Sequence, residues 1–310
     1  MQLIRTLENA PFEFLAQGSV ATIGVFDGLH LGHQKLLDGV IAEATASGLP
    51  SVVMSFEPTP REYFSPQNPP ARLMRFGEKF QALEDYSIDV FYCPNFDDDI
   101  RNASPDSFIR KILVDALNIR HLVIGDDFRF AKNRSGTMEH LIQAGAEYNF
   151  ELHHIPGVDC DGERVSSTAV RRALSSGNLE RAALLLGRHY RMSGKVVEGN
   201  HLGRKLGYPT ANINPDRRQV ALMGIFAARV AGLGAEPLDA VASLGTRPTV
   251  DGTKPLLEAH IFDFDEDIYG RHIHVDFIEK LRDEVKFADL DALVEQMHRD
   301  AAQARKILMA

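Results

Sequence analysis

The run Thr22-Ile23-Gly24-Val25-Phe26-Asp27-Gly28-Leu29-His30-Leu31-Gly32-His33 reads as an apolar strand, a tight turn and the start of a helix. The strand ends at Phe26, Asp27-Gly28 make the turn, and the helix opens near His30 or Leu31. Glycines such as Gly24 and Gly28 let backbone amides approach a phosphate closely. A helix N-terminus adds unpaired N–H donors and a dipole that favours negative charge. His30 and His33 place two imidazoles on that first turn, able to donate to oxygens on which charge develops. The arrangement points to a nucleoside triphosphate attacked at its α-phosphorus, with pyrophosphate leaving. The competing readings are a metal site and a packed His pair. No thiolate or carboxylate follows within the next few residues to complete a zinc set.

On either side of this run, strand-like and helix-like segments alternate. Strands are expected at 20–26, 51–56, 88–93, 120–124 and 151–155, and helices at 31–47, 76–86, 105–117 and 137–148. Ser104 is a candidate N-cap for the third helix, with Pro105 at its first position. Such alternation implies an α/β unit with a parallel sheet covered by helices. The His turn and the turn at Gly125-Asp126-Asp127 then share the carboxyl edge of the sheet, where ligands bind.

After Gly187 the pattern becomes short β-like runs at 193–198, 224–230, 240–244, 256–262 and 273–277, which favours a small antiparallel sheet or barrel. A terminal helix follows, with Leu290, Leu293, Met297, Ala301, Ala304 and Leu308 as one apolar stripe for core packing. The expected domains are 1–184 and 185–310.

The 310 residues suit two domains, and 44% hydrophobic content suits ordinary cores. No apolar run is long enough to span a bilayer, and the first 18 residues do not read as a signal peptide. Cys93 and Cys160 lack metal-like spacing, so a reducing cytoplasm is the expected setting. A net charge of −9 argues against a nucleic-acid surface but not against anionic small ligands. Asp97-Asp98-Asp99 reads as a solvated loop. Oligomeric state is not legible.

Other runs carry chemistry. Phe56-Glu57-Pro58-Thr59-Pro60, with Tyr63 and Phe64, is either a proline turn or the wall of a flat apolar slot. The loop from Gly125 to Gly136 offers Asp127, Phe128 and several cations. Ser166-Ser167-Thr168, with Arg171 a turn later, is either an N-cap or a phosphate cradle. The run 199–212 brings Gly199, Gly203, Arg204, Lys205, Gly207, Thr210 and Asn212 together, without a Walker A motif. Its glycines and cations suit phosphates. Thr210 and Asn212 share one face of a strand and suit Mg²⁺ carried by a nucleotide. Glu258, inside an apolar strand, is either a cross-strand ion-pair partner or a general base.

Together these runs resemble the prokaryotic bifunctional riboflavin kinase/FAD synthetase family over nearly the whole chain. The N-terminal set is G-x-F-D-G-x-H-x-G-H, F-E-P-x-P, D-F-x-F and S-S-T-x-x-R. The C-terminal set is G-R-K-L-G-Y-P-T-A-N, Gly245-Thr246-Arg247-Pro248, Glu258, Asp263-Phe264, Tyr269-Gly270 and Leu281-Arg282-Asp283-Glu284. The resemblance implies a Rossmann-like nucleotidyltransferase domain followed by a small antiparallel β-barrel kinase domain with a terminal helix. It implies that riboflavin is phosphorylated to FMN by ATP in the second domain, and that FMN is adenylylated to FAD in the first. By resemblance, Glu258 is the base, and Thr210 and Asn212 contact Mg²⁺–ATP. Gly199, Gly203, Arg204, Lys205 and Gly207 bind that ATP, and Arg282 binds the flavin. In the first domain, His30 and His33 stabilise the transition state. Gly24, Phe26, Asp27, Gly28, Ser166, Thr168 and Arg171 hold ATP, and Pro58, Pro60, Phe64, Asp127 and Phe128 frame FMN. Thr59, Ala131 and Thr137 depart from the usual family residues.

Overall fold

The computed structural model describes residues 1–6, 13–199, 203, 206–249 and 252–309. By packing, the chain divides into two units, Met1–Pro70 with Phe76–Val165, and Ala71–Arg75 with Ser166–Ala310.

In the first unit the chain runs β1 (Gln2–Ile4), β2 (Ser19–Ile23), α1 (Leu31–Ser47), β3 (Ser51–Met54), α2 (Pro60–Phe64), α3 (Phe76–Asp85) and β4 (Val90–Tyr92). It continues through α4 (Asp98–Asn102), α5 (Pro105–Phe108), β5 (Ile119–Gly125), α6 (Met138–Tyr148) and β6 (Glu151–Ile155). These strands form a parallel sheet in the order β1-β4-β3-β2-β5-β6. Every residue of β2 and β3 is buried, as expected of parallel strands covered on both faces. From β2 the chain builds outward through β3 and β4, then returns to β5 on the other side of β2. β2 and β5 therefore flank the topological switch point, beyond whose carboxyl ends ligands bind in such sheets.

The helix expected at 31–47 and the strand at 151–155 have those bounds. α1 buries Leu37, Val40 and Ala44 on one face and stops at Gly48 in the left-handed region. The segment 105–117 differs from the expected single α-helix. After α5 it widens to π-helical winding over Ile109–Val114, with Asp115 N bonded to Arg110 O at 2.8 Å. Asp97-Asp98-Asp99 is not a loop: Asp97 caps α4, accepting from Asp99 N and Ile100 N, and the next two carboxylates sit in its first turn. A small hairpin, β7 (Asp159–Cys160) and β8 (Glu163–Arg164), turns at Asp161-Gly162, both at positive φ.

The second unit holds α7 (Ser167–Ser175), α8 (Leu179–Leu186), β9 (Tyr190–Val197), β10 (Ala211–Ile213), β11 (Gly224–Ala231), β12 (Leu238–Thr249), β13 (Gly252–Ile261), β14 (His272–Arg282) and α9 (Leu290–Leu308). Its strands close an antiparallel barrel in the order β10-β13-β12-β11-β14-β9. Residue 184, the expected domain limit, lies inside α8. That helix is capped by Asn178 and Gly187 and packs on β9 and β14, so packing assigns α7 and α8 to the barrel unit. The far end of the α9 stripe is core: Ala304 and Leu308 pack with Ala227 and Phe262. Ala301 is partly buried and packs against the same cluster, Asp300 is buried on the neighbouring position, and Leu290 is exposed.

Candidate active sites

The His turn is shaped by its backbone. Phe26 (φ +50°), Gly28 (φ +88°) and Leu29 (φ +43°) all lie in the left-handed region, and the chain turns sharply from β2 into α1. A side chain at Gly28 would be strained there whatever room it had. Phe26 is fully buried, its ring 5.1 Å from that of His33. Its side chain therefore shapes the turn from below. Asp27 and His30 are also buried. His30 is the N-cap of α1, and its Nδ1 accepts from His33 N at 3.3 Å. That bond places the proton of a neutral His30 on Nε2. The two imidazoles stack with centroids 3.6 Å apart and 17° between planes. Burial, then His30, then Lys79 hold the His33 pKa well below the usual 6.5, so His33 is a neutral donor at neutral pH. Its Nδ1 is buried without a hydrogen-bond partner.

Lys79 is the group that the sequence reading missed. It is 2% exposed on α3 and donates to Val25 O at 2.7 Å and Ser55 Oγ at 3.3 Å. A buried ammonium thus fixes the carboxyl ends of β2 and β3. The available signal was a lysine four residues before Leu83 on the buried face of α3.

The segments expected to frame FMN meet at α4. Thr59 caps α2 in a capping box with Glu62, and Pro60 is the first helical residue; Pro58 and Phe64 are exposed. Phe64 packs edge-on against Phe96 and Tyr63. Tyr63 donates to Asp98 Oδ1 at 2.8 Å, and Arg101 lies over Phe64. Lys132 N bonds Ala103 O at 2.9 Å, which ties the 125–136 loop to the end of α4. In that loop Asp127 pairs with Arg164 at 2.8 Å, and Phe128 stacks on Phe130. Ala131 stands at φ +63°, ψ −174°, a conformation open essentially to glycine alone. Thr137 caps α6 with His140. Ser166 caps α7 by accepting from Ala169 N, Thr168 is exposed, and Arg171 Nε donates to Ala71 O at 2.6 Å.

In the barrel unit a cavity of about 250 Å³ lies between the wall of the barrel and α9. Thr210, Asn212, Glu258, Arg282, Leu293 and Met297 are among its lining residues. Asn212 on β10 is paired in register with Glu258 on β13, which brings two distant segments side by side. Asn212 is 6% exposed and its Oδ1 is buried without a hydrogen-bond partner. Gly203 lets the chain fold back, since a Cβ there would lie 2.3 Å from Tyr208 O. Gly199 backs against the Asn212 amide, and Gly207 is at φ +83°. Arg204 and Lys205 lie outside the described residues.

Arg282 is gripped by α9. Its Nε and Nη2 bond Asp300 at 3.0 and 2.7 Å, and Gln296 donates to the same carboxylate at 2.8 Å. Its Nη1 donates to Asp283 O. The guanidinium expected to bind flavin is thus oriented at the cavity by a buried carboxylate that no local motif announced. Burial, together with the charge of Glu258, raises the Glu284 pKa against the pull of Arg282. The larger depression, about 780 Å³ beside α8 and β14, brings together none of the expected site residues.

The FAD synthetase family matches residues 14–169, and the riboflavin kinase family matches residues 186–308. The bifunctional riboflavin kinase/FMN adenylyltransferase of Escherichia coli K12 is 45% identical over 310 residues, covering 99% of this chain and 97% of that protein. This chain belongs to the bifunctional riboflavin kinase/FMN adenylyltransferase family. A bifunctional riboflavin kinase/FMN adenylyltransferase from Haemophilus influenzae is 42% identical over 305 residues, with 98% of each chain covered. A crystal structure of a macrolide-efflux protein from Streptococcus pneumoniae matches with a TM-score of 0.81 at 29% identity, over 98% of both chains. Among the described residues no helix is long and apolar enough to cross a membrane. The FAD synthetase match runs past Val165 and takes in Ser166 and Thr168, which packing groups with the barrel.

Proposed function

We propose that the cavity beside Glu258 transfers the ATP γ-phosphate to the riboflavin 5′-hydroxyl, and that the His30–His33 turn transfers AMP from a second ATP to FMN. As a member of its family the chain is an enzyme with riboflavin kinase and FMN adenylyltransferase activities. The observation that carries the site assignment is the Asn212–Glu258 pair, with the unpartnered Asn212 Oδ1 beside a carboxylate.

In the kinase step Glu258 takes the hydroxyl proton as the oxygen attacks phosphorus, and ADP leaves. Thr210 and Asn212 offer hard oxygen ligands that fit Mg²⁺ held with ATP. When bound, Mg²⁺ neutralises phosphate charge. Gly199, Gly203 and Gly207, with Arg204 and Lys205, wrap the phosphates. Arg282, held by Asp300, orients the flavin.

In the adenylyl step the FMN phosphate is already ionised and needs no base. Its oxygen attacks the α-phosphorus and pyrophosphate departs. His33, as a neutral donor, and His30 beside it stabilise the charge that develops on the α-phosphoryl oxygens. Gly24, Phe26, Asp27 and Gly28 shape the backbone around that ATP. Ser166, Thr168 and Arg171 hold its phosphates, while Pro58, Pro60, Phe64, Asp127 and Phe128 frame FMN. The activity boundary is put at residues 184/185, later than the packing division, and the setting is a reducing cytoplasm, in keeping with neither Cys93 nor Cys160 forming a disulfide.

The test is to incubate the protein with riboflavin, ATP and Mg²⁺ and resolve riboflavin, FMN and FAD by chromatography. FMN appears first and FAD follows. Conversion of added FMN to FAD without consumption of riboflavin overturns the kinase assignment.

A further inference from the structure

Four titratable side chains outside both sites converge on one point of the first unit. The register pairs His121 with Glu151 and Val123 with His153 across β5 and β6. Alternation puts His121, Glu151 and His153 on one face of the sheet. α1 lies over that face. At Gly39 it comes so close that an added Cβ would stand 3.2 Å from Ile155 and 3.4 Å from Val123. Glu43, one turn further along the same helix, reaches down to the two imidazoles.

Three of the distances share His121 Nδ1, and Glu43 Oε2 stands 3.8 Å from His153 Nδ1. His121 Nδ1 is 3.0 Å from His153 Nε2, 3.4 Å from Glu43 Oε1 and 3.8 Å from Glu151 Oε2. His153 Nε2 is 3.9 Å from that same Glu151 oxygen. Donor atoms of Glu43, His121 and His153 all lie within 4.8 Å of one another. One N–H on His121 serves only one of three neighbours well, whereas a cation serves all of them. A tetrahedral centre with bonds near 2.0–2.1 Å spaces its donors about 3.3 Å apart, close to the shorter of these distances. Imidazole nitrogen with carboxylate oxygen is the donor set of zinc-class metals, not of magnesium or calcium. The side chains of His121, Glu43 and His153 are 16%, 25% and 31% exposed, and Glu151, at 76%, closes the group from the solvent side.

We propose that Glu43, His121, Glu151 and His153 form a zinc-binding site that pins α1 to strands β5 and β6. Four protein donors leave no open position for substrate, so the role is structural. Glu43 lies about 18 Å along α1 from Leu31, at 1.5 Å per residue, so the site is separate from the phosphate turn.

The experiment strips the full-length protein with a chelator, removes the chelator, adds zinc sulfate and measures metal per chain and thermal unfolding. One zinc per chain is expected, with a rise in melting temperature. A His121→Ala/His153→Ala double variant loses both and converts FMN to FAD at the unaltered rate. Glu43→Gln keeps the shape of the side chain and the fold, and weakens zinc binding by at least about tenfold. Cobalt(II) in place of zinc gives the intense visible bands of a tetrahedral centre. His33→Ala retains its zinc. The proposal is overturned if the unmodified protein takes up no zinc, which leaves a proton shared between the rings. It is equally overturned if the double variant still binds one zinc, or if Glu43→Gln binds it as tightly as the parent.

Discussion

At the phosphate turn the groups that meet come from one run, residues 22–33, and the backbone does most of the shaping through left-handed residues and a helix N-terminus. Around Glu258 the wall is assembled from β10, β13, β14 and α9, and side chains do the shaping through a register pair and a buried ion pair. A site made of contiguous backbone tolerates few changes in its glycines and takes less from elsewhere, here chiefly the buried Lys79. A site made of distant side chains depends on every element that carries one. The first kind is legible as a motif, and the second only as scattered residues.

The sharpest way to break this contrast is Glu258→Gln. FMN formation should fall by about 10²–10⁴, the range for loss of a general base. FMN-to-FAD conversion should stay intact, since we assign that chemistry to the other site. Kinase rate with riboflavin and thermal unfolding without ligand, measured on one variant, separate the base from an ion-pair partner. Lost stability with near-normal turnover would falsify the base assignment.

His33→Ala tests the opposite site. FAD formation should fall by about 10²–10³, as for loss of one preorganised donor, with riboflavin phosphorylation unaltered. His33 also sets an acid limit. Its folded pKa is depressed below the usual 6.5, so between those two values the unfolded chain binds a proton that the folded chain does not. Stability therefore falls as pH drops through 6.5 and stops falling below the depressed value. Melting curves of the parent and His33→Gln across this window should converge towards the acid end. Parallel curves would remove His33 from the acid response.

Asp300→Asn probes the dependence of the barrel site on α9. Leaving the Arg282 guanidinium without its buried carboxylate should cost on the order of 3 kcal/mol. Unfolding of the barrel unit should shift to lower temperature and riboflavin phosphorylation should weaken, while FAD formation from FMN is spared. An undiminished kinase rate would show that α9 is not part of the working wall.

The smallest effect is expected at Ala131. Glycine relieves a backbone conformation that costs about 1–3 kcal/mol, offset by roughly 0.5–1 kcal/mol of extra chain entropy. Ala131→Gly should therefore raise the melting temperature of the sheet unit by a few degrees. An unchanged or lower value would mean that the loop is held there without strain.

The contrast also governs what could be read in advance. The turn and first helix around His30 were legible because every signal was local, and α1 has its expected limits, whereas β2 stops at Ile23 short of the expected Phe26. The barrel was legible as a class from its alternating short runs. Lys79 and Asp300 were not, because each is a charged residue on the buried face of an amphipathic helix, where periodicity expects an apolar one. Its partner, a carbonyl or a guanidinium, lies far along the chain. Composition changes after Gly187, whereas packing changes at Val165, so the two markers divide the chain differently. The φ of Ala131 and the π-helical turn at Ile109–Val114 have no compositional mark, since they come from tertiary closure.

The position of α9 has a consequence for how the protein is made. Synthesis proceeds from the N-terminus, and domains fold as units as they emerge. The last strand of the parallel sheet, β6, ends at Ile155, so the phosphate turn can reach its final shape with half of the chain still to be translated. The cavity beside Glu258 lacks a wall, and Arg282 its carboxylate, until Leu290–Leu308 has left the ribosome. A polypeptide released before Leu290 would keep the His30–His33 turn and lack the α9 side of the cavity beside Glu258.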